Sequence, residues 1–204
     1  MRKMDSRISF LSKMSCEPGC TLENRVLHIR IDGLDQAKGR CPRNLESSKQ
    51  WSTLWRPQLH IQGVVCEGLF EAYYVMDQDM PKNSSMECTI LTLALMKAQE
   101  LLAERNLPMP DFISIKYDNT GREGKNQIVA KWMSWIQHLG IARMVQDGTG
   151  VPGHSHDPLD RRFAVLTGHL AQCRVLQTPS DFVDTIRHRR RYLSLSLSPY
   201  IYNI

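Results

Sequence analysis

The sequence predicts an α/β domain built on a mixed five-stranded sheet with helices on both faces. The 204 residues, 42% hydrophobic and 23% charged, suffice for one core of ordinary size. A first strand pattern is followed directly by a hairpin pattern, which indicates antiparallel pairing at the start of the sheet. Two later strands each precede a helical pattern, which indicates parallel strands connected through helices.

The first half of the chain supplies three strand patterns, at residues 25–32, 58–65 and 69–76. The first pattern alternates, and its apolar residues lie on one side: Leu27, Ile29 and Ile31. It stops at Gly33 and is followed by a polar excursion over residues 36–57. Only three residues separate the second pattern from the third, and this spacing is typical of a hairpin with a short loop.

Helical patterns alternate with two further strands in the second half of the chain. The Ser84-x-x-Glu87 spacing predicts a capping box that opens a helix running to about Arg105. The further strands are predicted at 112–118 and 141–145, with helices between them, from Pro158 onward, and from Pro179 to about Arg187. This order of elements is that of an RNase H-like sheet, in which the first three strands are antiparallel and the fourth and fifth run parallel to the first.

The chain is predicted to contain one domain with less ordered ends. Residues 1–24 show no sustained period, which indicates a loosely ordered leader, and the domain spans 25–188 with the 36–57 excursion inside it. Residues 189–204 form a basic tail, and from Tyr192 onward its pattern fits either an edge strand or disorder. No apolar run is long enough for a membrane span, so we expect a nuclear or cytoplasmic protein that is neither secreted nor membrane-bound.

The net charge of +5 is concentrated near the C-terminal end. From residue 161 onward, seven arginines are set against only two acidic residues, which accounts for the whole excess. The densest group is Arg187, Arg189, Arg190 and Arg191, and it predicts contacts with backbone phosphates or a nuclear-import patch. A solvated helix end fits the same pattern.

Three aspartates follow the elements that an RNase H-like sheet brings to one edge. Asp32 ends strand one, Asp118 ends strand four, and Asp160 lies in the first turn of the helix after strand five. A cluster of carboxylates needs compensating positive charge. Two Mg²⁺ or Mn²⁺ ions, about 3.5–4 Å apart, supply that charge and activate an oxygen nucleophile for attack on a phosphodiester. Taken singly, each acid is also explained by turn or helix-end chemistry.

Neighbouring residues are secondary candidates for the same site. Asp35 competes with Asp32, because it lies three residues further on in a predicted turn. The helix after Asp118 opens with further polar residues: Glu123, Lys125 and Asn126. Free backbone N–H groups at a helix start, together with the lysine, are suited to holding a phosphate. Glu123 is equally explained as a first-turn acid.

The histidine pair His154-x-His156 predicts a different kind of metal site. Imidazole suits zinc or iron better than magnesium, and Asp160 is positioned in the sequence to complete such a site. A His/Asp metallohydrolase is therefore an alternative function. One of the two histidines is otherwise expected near the acids, where it is able to carry a proton at neutral pH.

Three segments resemble the signatures of an uncharacterised eukaryotic domain family that is similar to transposase and integrase catalytic domains. They are Ile31-Asp-Gly-Leu-Asp-Gln-Ala-Lys38, Asp118-Asn-Thr-Gly-Arg-Glu-Gly-Lys-Asn126 and Gly153-His-Ser-His-Asp-Pro-Leu-Asp160. The resemblance covers about residues 25–188, and members of the family occur in transposon-like reading frames. It implies an RNase H-like fold with Asp32, Asp118 and Asp160 in the positions of the acidic triad. Because the region that commonly precedes this domain is missing, we expect a shortened copy, a fragment of a transposable element.

Together these observations predict a transposon-derived, divalent-metal-dependent nuclease or strand-transferase-like domain that acts on nucleic-acid phosphodiesters. DNA is the expected partner, and an oligomer is compatible with the sequence. Two alternatives stay open: a catalytically silent module of the same fold that binds nucleic acid or protein, and the His/Asp metallohydrolase. The sequence leaves open whether the chain is an active enzyme.

Overall fold

The structure, a computed structural model, describes residues 2–44, 55–117, 126–149, 158–173, 175–189, 197–198 and 201–203. The described residues of the first half form α1 (Arg2–Ser15), β1 (Val26–Gly33), a 3-10 turn (Gln36–Gly39), β2 (Arg43–Asn44), β3 (His60–Cys66) and β4 (Phe70–Met76). Three residues join β3 to β4, as the hairpin pattern predicts.

The second half alternates helices with strands. Its elements are α2 (Ser84–Glu104), β5 (Phe112–Tyr117), α3 (Gln127–His138), β6 (Met144–Thr149), α4 (Pro158–Gln172), β7 (Val175–Leu176), α5 (Pro179–Arg189), β8 (Leu197–Ser198) and β9 (Ile201–Asn203). β2 pairs with β7 in a separate two-stranded sheet. Among these helices, none combines the length and apolar character that crossing a bilayer requires.

The main sheet has the strand order β6-β5-β1-β3-β4-β9-β8. β1 runs parallel to β5, and β5 runs parallel to β6. The N–H of Glu67 donates to the carbonyl of His28 at 2.9 Å. The N–H of Leu34 donates to the carbonyl of Ile61 at 2.8 Å, so residue numbers rise along β1 as they fall along β3 and the two strands are antiparallel. The predicted mixed five-stranded α/β sheet is therefore confirmed, and β9 and β8 extend it beyond β4.

The chain divides into two compact units, each assembled from separate stretches. Unit 1 comprises Met1–Ile31, Val64–Glu71 and Lys82–Ser155. Unit 2 comprises Asp32–Gly63, Ala72–Pro81 and His156–Ile204. The residues predicted to form one domain, 25–188, are thus shared between the two units, and α1 belongs to unit 1.

In unit 1, alternating residues of β1 and β5 face opposite sides of the sheet. The apolar side is fully buried and includes Leu27, Ile29, Ile113 and Ile115. Tyr117 lies on that side near Glu87 of α2, and burial together with this negative charge raises the pKa of its hydroxyl. α1 lies on the other side, where the hydroxyl of Ser12 accepts a hydrogen bond from the N–H of His28 at 2.9 Å. Helices therefore pack on both faces of this part of the sheet.

Residues 2–15 correct one prediction, because they form α1 rather than a loosely ordered leader. Ser12 and Ser15 are completely buried, and each hydroxyl accepts a hydrogen bond from a backbone N–H of β1. The guanidinium of Arg25 adds a further bond, from Nε to the carbonyl of Ser15 at 2.9 Å. Buried polar contacts anchor this helix, which is why a search for apolar periodicity does not find it.

The fifth strand was predicted at residues 141–145 but lies further along the chain. The observed strand, β6, begins at Met144 and continues through a polar stretch to Thr149. Its register with β5 runs from Phe112↔Met144 to Tyr117↔Thr149. β6 lies at the edge of the sheet, and most of its side chains whose burial is described are exposed. Backbone pairing with β5 helps to hold such a strand, so a continuous apolar pattern is not required for it to form.

The start of α2 shows which polar residue caps this helix. Asn83, in extended conformation, accepts a hydrogen bond from the N–H of Met86 at 3.1 Å and caps α2, so the helix is capped one residue before the predicted Ser84. The end of α2 at Glu104 agrees with the prediction.

The C-terminal tail was predicted to form either an edge strand or a disordered segment. Residues 201–203 form a strand, which pairs antiparallel with β4.

Candidate functional site

The carboxyl ends of β1 and β5 lie side by side in unit 1, where the register pairs Ile31 with Tyr117. In the sequence these two residues immediately precede Asp32 and Asp118, the first two members of the predicted triad. Asp32 is partly buried, and its Oδ1 accepts a hydrogen bond from the N–H of Gly33 at 2.7 Å. Asp118 lies outside the described residues.

Within unit 2, Asp32 lies opposite Gly63 of β3. Two residues before Leu34 and two residues after Ile61, the hydrogen-bonded pair, stand Asp32 and Gly63. The hydrogen bond between Glu67 and His28 gives the same register, because Asp32 lies four residues after His28 and Gly63 four residues before Glu67. Residues directly opposite each other in antiparallel strands are about 5.5 Å apart at Cα when hydrogen-bonded, and their side chains share a face. Because residue 63 is a glycine, the space beside the Asp32 side chain is left for another element.

The first turn of α4 occupies the space above Gly63. A Cβ added to Gly63 would lie 2.8 Å from Cζ of Phe163 and 3.1 Å from Cδ1 of Leu159. Asp160 follows Leu159 in that turn and is partly buried. The packing of α4 on Gly63 therefore places Asp160 next in sequence to a residue that contacts β3, the strand paired with the one that carries Asp32.

We expect Gly63→Ala to lower the free energy of unfolding by about 1–3 kcal/mol, because the added methyl group overpacks this contact. Phe163 resists displacement, since its ring is buried and packs edge-on against Tyr73 with centroids 5.9 Å apart. Urea denaturation measures the change.

The matched control is Gly168→Ala, in the same helix. A Cβ at Gly168 meets nothing within 4 Å, so alanine is expected to stabilise α4 by about 0.5–1 kcal/mol. Similar effects of the two substitutions would contradict the packing of α4 on β3.

Four other predicted site residues lie in the described ranges: Asp35, Asn126, Arg187 and Arg189. Asp35 is exposed after β1. The side-chain oxygen of Asn126 accepts hydrogen bonds from two N–H groups in the first turn of α3 and so serves as its N-cap. Arg187 lies in α5 with Nη1 3.5 Å from Oδ1 of Asp184, and Arg189 is the last residue of that helix. The predictions at Glu123, Lys125, His154, His156, Arg190 and Arg191 lie, like Asp118, outside the described residues.

Within the described ranges, no three His, Cys, Asp or Glu side chains form a group able to hold a metal ion. The predicted magnesium set needs Asp118, and the alternative zinc set needs His154 and His156, all outside those ranges. The chemistry of the donors distinguishes the two sets. Carboxylate oxygens alone fit Mg²⁺ or Mn²⁺, whereas two imidazoles fit zinc.

A second group of charged side chains, the α1 cluster, lies between α1 and the sheet in unit 1. Its members are Asp5, His28, Arg30, Glu67 and Lys116. Arg30 and Glu67 have side chains only 5% and 6% exposed, and Nε of Arg30 lies 3.2 Å from Oε1 of Glu67. Asp5 Oδ2 lies 3.5 Å from Nη1 of Arg30 and accepts a hydrogen bond from Lys116. The cluster was not predicted from the sequence. Its signal in the sequence is the alternation of His28 and Arg30 with apolar residues, which places both polar side chains on one face of β1.

The α1 cluster shifts the pKa values of two of its members. Burial by itself raises the pKa of Asp5, but the hydrogen bond from Lys116 and the charge of Arg30 lower it below its usual range. Burial, and then the charge of Arg30, lower the pKa of His28 to about 4 against the opposing effect of nearby carboxylates. At neutral pH His28 is therefore a neutral imidazole whose Nδ1 lies 3.1 Å from Oγ of Ser114. Its 3.8 Å approach to Asp5 is not an ion pair at that pH.

We expect the protein to lose stability as the pH falls from about 6.5 to about 4. His28 has a pKa of about 4 in the folded chain, while its ordinary value in the unfolded chain is about 6.5. The unfolded chain therefore binds the proton first. The contribution of neutral His28 to the free energy of unfolding is therefore complete above about pH 6.5, the pKa of the unfolded chain. Up to about 3 kcal/mol of it is lost as the pH falls to about 4, the pKa of His28 in the folded chain.

Urea denaturation at several pH values in this window measures the loss. His28→Gln removes the titrating group, so the free energy of unfolding of this variant should depend less on pH there. A variant with the same pH dependence as the unaltered protein would show that another group is responsible.

The residues described so far define an α/β domain with a mixed sheet and one acidic residue, Asp32, near the carboxyl end of β1. A family model described as "Domain of unknown function (DUF7869)" matches residues 49–196, and the chain belongs to this family. The matched range includes Asp118 and Asp160 but begins after β1, so Asp32 lies outside it. No curated protein and no solved structure matches the chain.

Proposed function

We propose that this chain is a transposon-derived, divalent-metal-dependent nuclease or strand-transferase-like domain that acts on DNA phosphodiesters. Asp32, Asp118 and Asp160 are its metal-holding residues. The observation that carries the proposal is the parallel pairing of β1 with β5, whose paired residues Ile31 and Tyr117 precede two of these acids in the sequence. Acids that follow neighbouring parallel strands are well placed to share one site.

The packing of α4 on β3 supports Asp160 as the third member of the triad. Gly63 lies opposite Asp32, and Leu159 packs over Gly63 directly before Asp160 in the chain. A helix that packs onto a strand at a glycine is held closely, which limits how far its first turn moves. An acid in that turn is thus suited to complete a site begun by the strands.

The acids and the basic residues have separate tasks in the proposed reaction. Mg²⁺ or Mn²⁺, when bound, neutralises the carboxylates and activates water or a 3′-hydroxyl for in-line attack on phosphorus. Asp32 and Asp118, which follow the paired residues Ile31 and Tyr117 in the sequence, would hold the ions. Asp160 completes the site from the helix. Lys125 and the arginines at 187 and 189–191 bind backbone phosphates and keep the strand in place, a contribution that weakens with salt.

Cleavage of end-labelled DNA in the presence of Mg²⁺, Mn²⁺ or Zn²⁺ tests this function. The proposal expects products with Mg²⁺ or Mn²⁺ and little activity with Zn²⁺. DNA binding without cleavage in any of these metals would indicate the silent binding module instead. Activity that requires Zn²⁺ and disappears in His154→Ala and His156→Ala would indicate the His/Asp metallohydrolase.

A further inference from the structure

An open pocket of about 360 Å³ lies in unit 2, on residues that the proposed metal site does not use. Its lining residues are Arg40, Trp55, Arg56, Gln58, His60 and Gln78. They come from the end of the 3-10 turn, the approach to β3, the start of β3 and the residues after β4. The volume is within the usual range of small-molecule sites, roughly 300–1,000 Å³.

Backbone pairing between two parts of the excursion builds this pocket. The N–H of Leu59 donates to the carbonyl of Gly39 at 2.9 Å, and the N–H of Cys41 donates to the carbonyl of Pro57 at 3.0 Å. A Cβ at Gly39 would collide with the carbonyl oxygen of Leu59, so only glycine permits this approach. The two arginines of the pocket are therefore carried on paired backbone rather than on separate loops.

The charge of the pocket favours an anionic ligand. Among the described residues that line it, two are arginines and none is acidic. Turning the Gln58 amide so that its oxygen faces Arg40 lets Nε and Nη2 of Arg40 donate to that oxygen at 3.0 and 3.2 Å, which fixes one edge of the guanidinium. Arg56 donates from Nη1 to the carbonyl of Pro42 at 3.4 Å, while its Nε is buried without a hydrogen-bond partner among the described residues. Planar guanidinium groups bind phosphate through several donors at once.

Trp55 gives the pocket an aromatic surface. Trp55 is 77% exposed, the largest exposed fraction among the large apolar residues that the structure describes. An exposed indole beside arginines is the combination that binds a base by stacking and its phosphate by charge. We propose that this pocket binds a nucleotide, with the base on Trp55 and the phosphate between Arg40 and Arg56.

Two sources offer this chemistry, a free mononucleotide and one nucleotide of a single strand. Adenosine 5′-monophosphate and an eight-residue oligodeoxyadenylate therefore serve as the two nucleotide probes. Adenosine, which lacks the phosphate, and inorganic phosphate, which lacks the base, serve as comparison ligands. Binding to the full chain is followed by calorimetry and tryptophan emission in the presence of EDTA. Without metal ions, the result is independent of the proposed cleavage site.

We expect at least one of the two nucleotide probes to bind saturably and more tightly than adenosine or phosphate alone. Trp55→Ala should weaken this binding about tenfold or more, and Trp55→Phe should retain most of it. Arg40→Gln and Arg56→Gln should weaken it as well, with little effect on adenosine, while Arg40→Lys should keep part of the affinity. An oligonucleotide that binds at least tenfold more tightly than the monophosphate would identify a single strand as the ligand, and equal affinities would identify the mononucleotide.

The control variants are Trp135→Ala and Arg143→Gln, whose side chains are exposed and lie outside the pocket. Neither should change nucleotide binding. The proposal is overturned if no nucleotide probe binds saturably, or if inorganic phosphate binds as tightly as the nucleotides. It is also overturned if Trp55→Ala and Arg40→Gln bind as tightly as the two controls.

Discussion

Glu67→Gln is expected to lower the free energy of unfolding by about 3 kcal/mol, because it leaves Arg30 as a buried cation without its nearest counter-charge. The two side chains lie 3.2 Å apart and are almost completely buried. The glutamine keeps the shape of the side chain, so the loss reflects charge rather than packing. In a chain of this length, the same loss corresponds to a fall in melting temperature of roughly 6–12 °C.

The exposed pair Lys97–Glu100 on α2 provides the control. Its ammonium and carboxylate lie 2.8 Å apart, but the Glu100 side chain is 59% exposed. We expect Glu100→Gln to change stability by less than about 0.5 kcal/mol, and less still at high salt. An effect of Glu67→Gln as small as that of the control would contradict the burial of the ion pair between Arg30 and Glu67.

Asp32→Asn is expected to reduce metal-dependent DNA cleavage by about a hundredfold or more, since the charge stabilisation supplied by a bound metal amounts to several kcal/mol. The amide oxygen retains an acceptor for the N–H of Gly33, so the turn after β1 should persist. Circular dichroism and urea denaturation check that the variant folds. Asp118→Asn and Asp160→Asn should cause comparable losses.

Asp35→Asn is the matched control, because Asp35 is exposed and only three residues away. Its cleavage rate should remain within about twofold of the unaltered protein, as for most surface substitutions. If Asp35→Asn abolished cleavage while Asp32→Asn did not, the assignment of the first acid would be wrong.

The sheet was predictable because its determinants are local. Alternation in β1, the short loop between β3 and β4, and the strand–helix order of the second half all follow from periodicity and turn chemistry. α1 was not predictable in this way. Ser12 and Ser15 anchor it through hydrogen bonds to β1, and such contacts leave no apolar period in the sequence.

The candidate site was predictable in part. The positions of Asp32 and Asp160 follow from where β1 ends and where Pro158 starts α4, both readable from sequence. The α1 cluster and the nucleotide pocket depend on contacts between residues distant in the chain, such as Asp5 with Lys116 or Arg40 with Gln58. A single sequence does not reveal which distant polar residues meet.

The most direct measurement of the central claim is a crystal structure of the protein with Mn²⁺, in which anomalous scattering locates the ions. We expect one or two Mn²⁺ ions bound by carboxylate oxygens of Asp32, Asp118 and Asp160, at distances of about 2.0–2.3 Å. Ions bound through His154 and His156, or an Asp160 side chain turned away from Asp32, would contradict it.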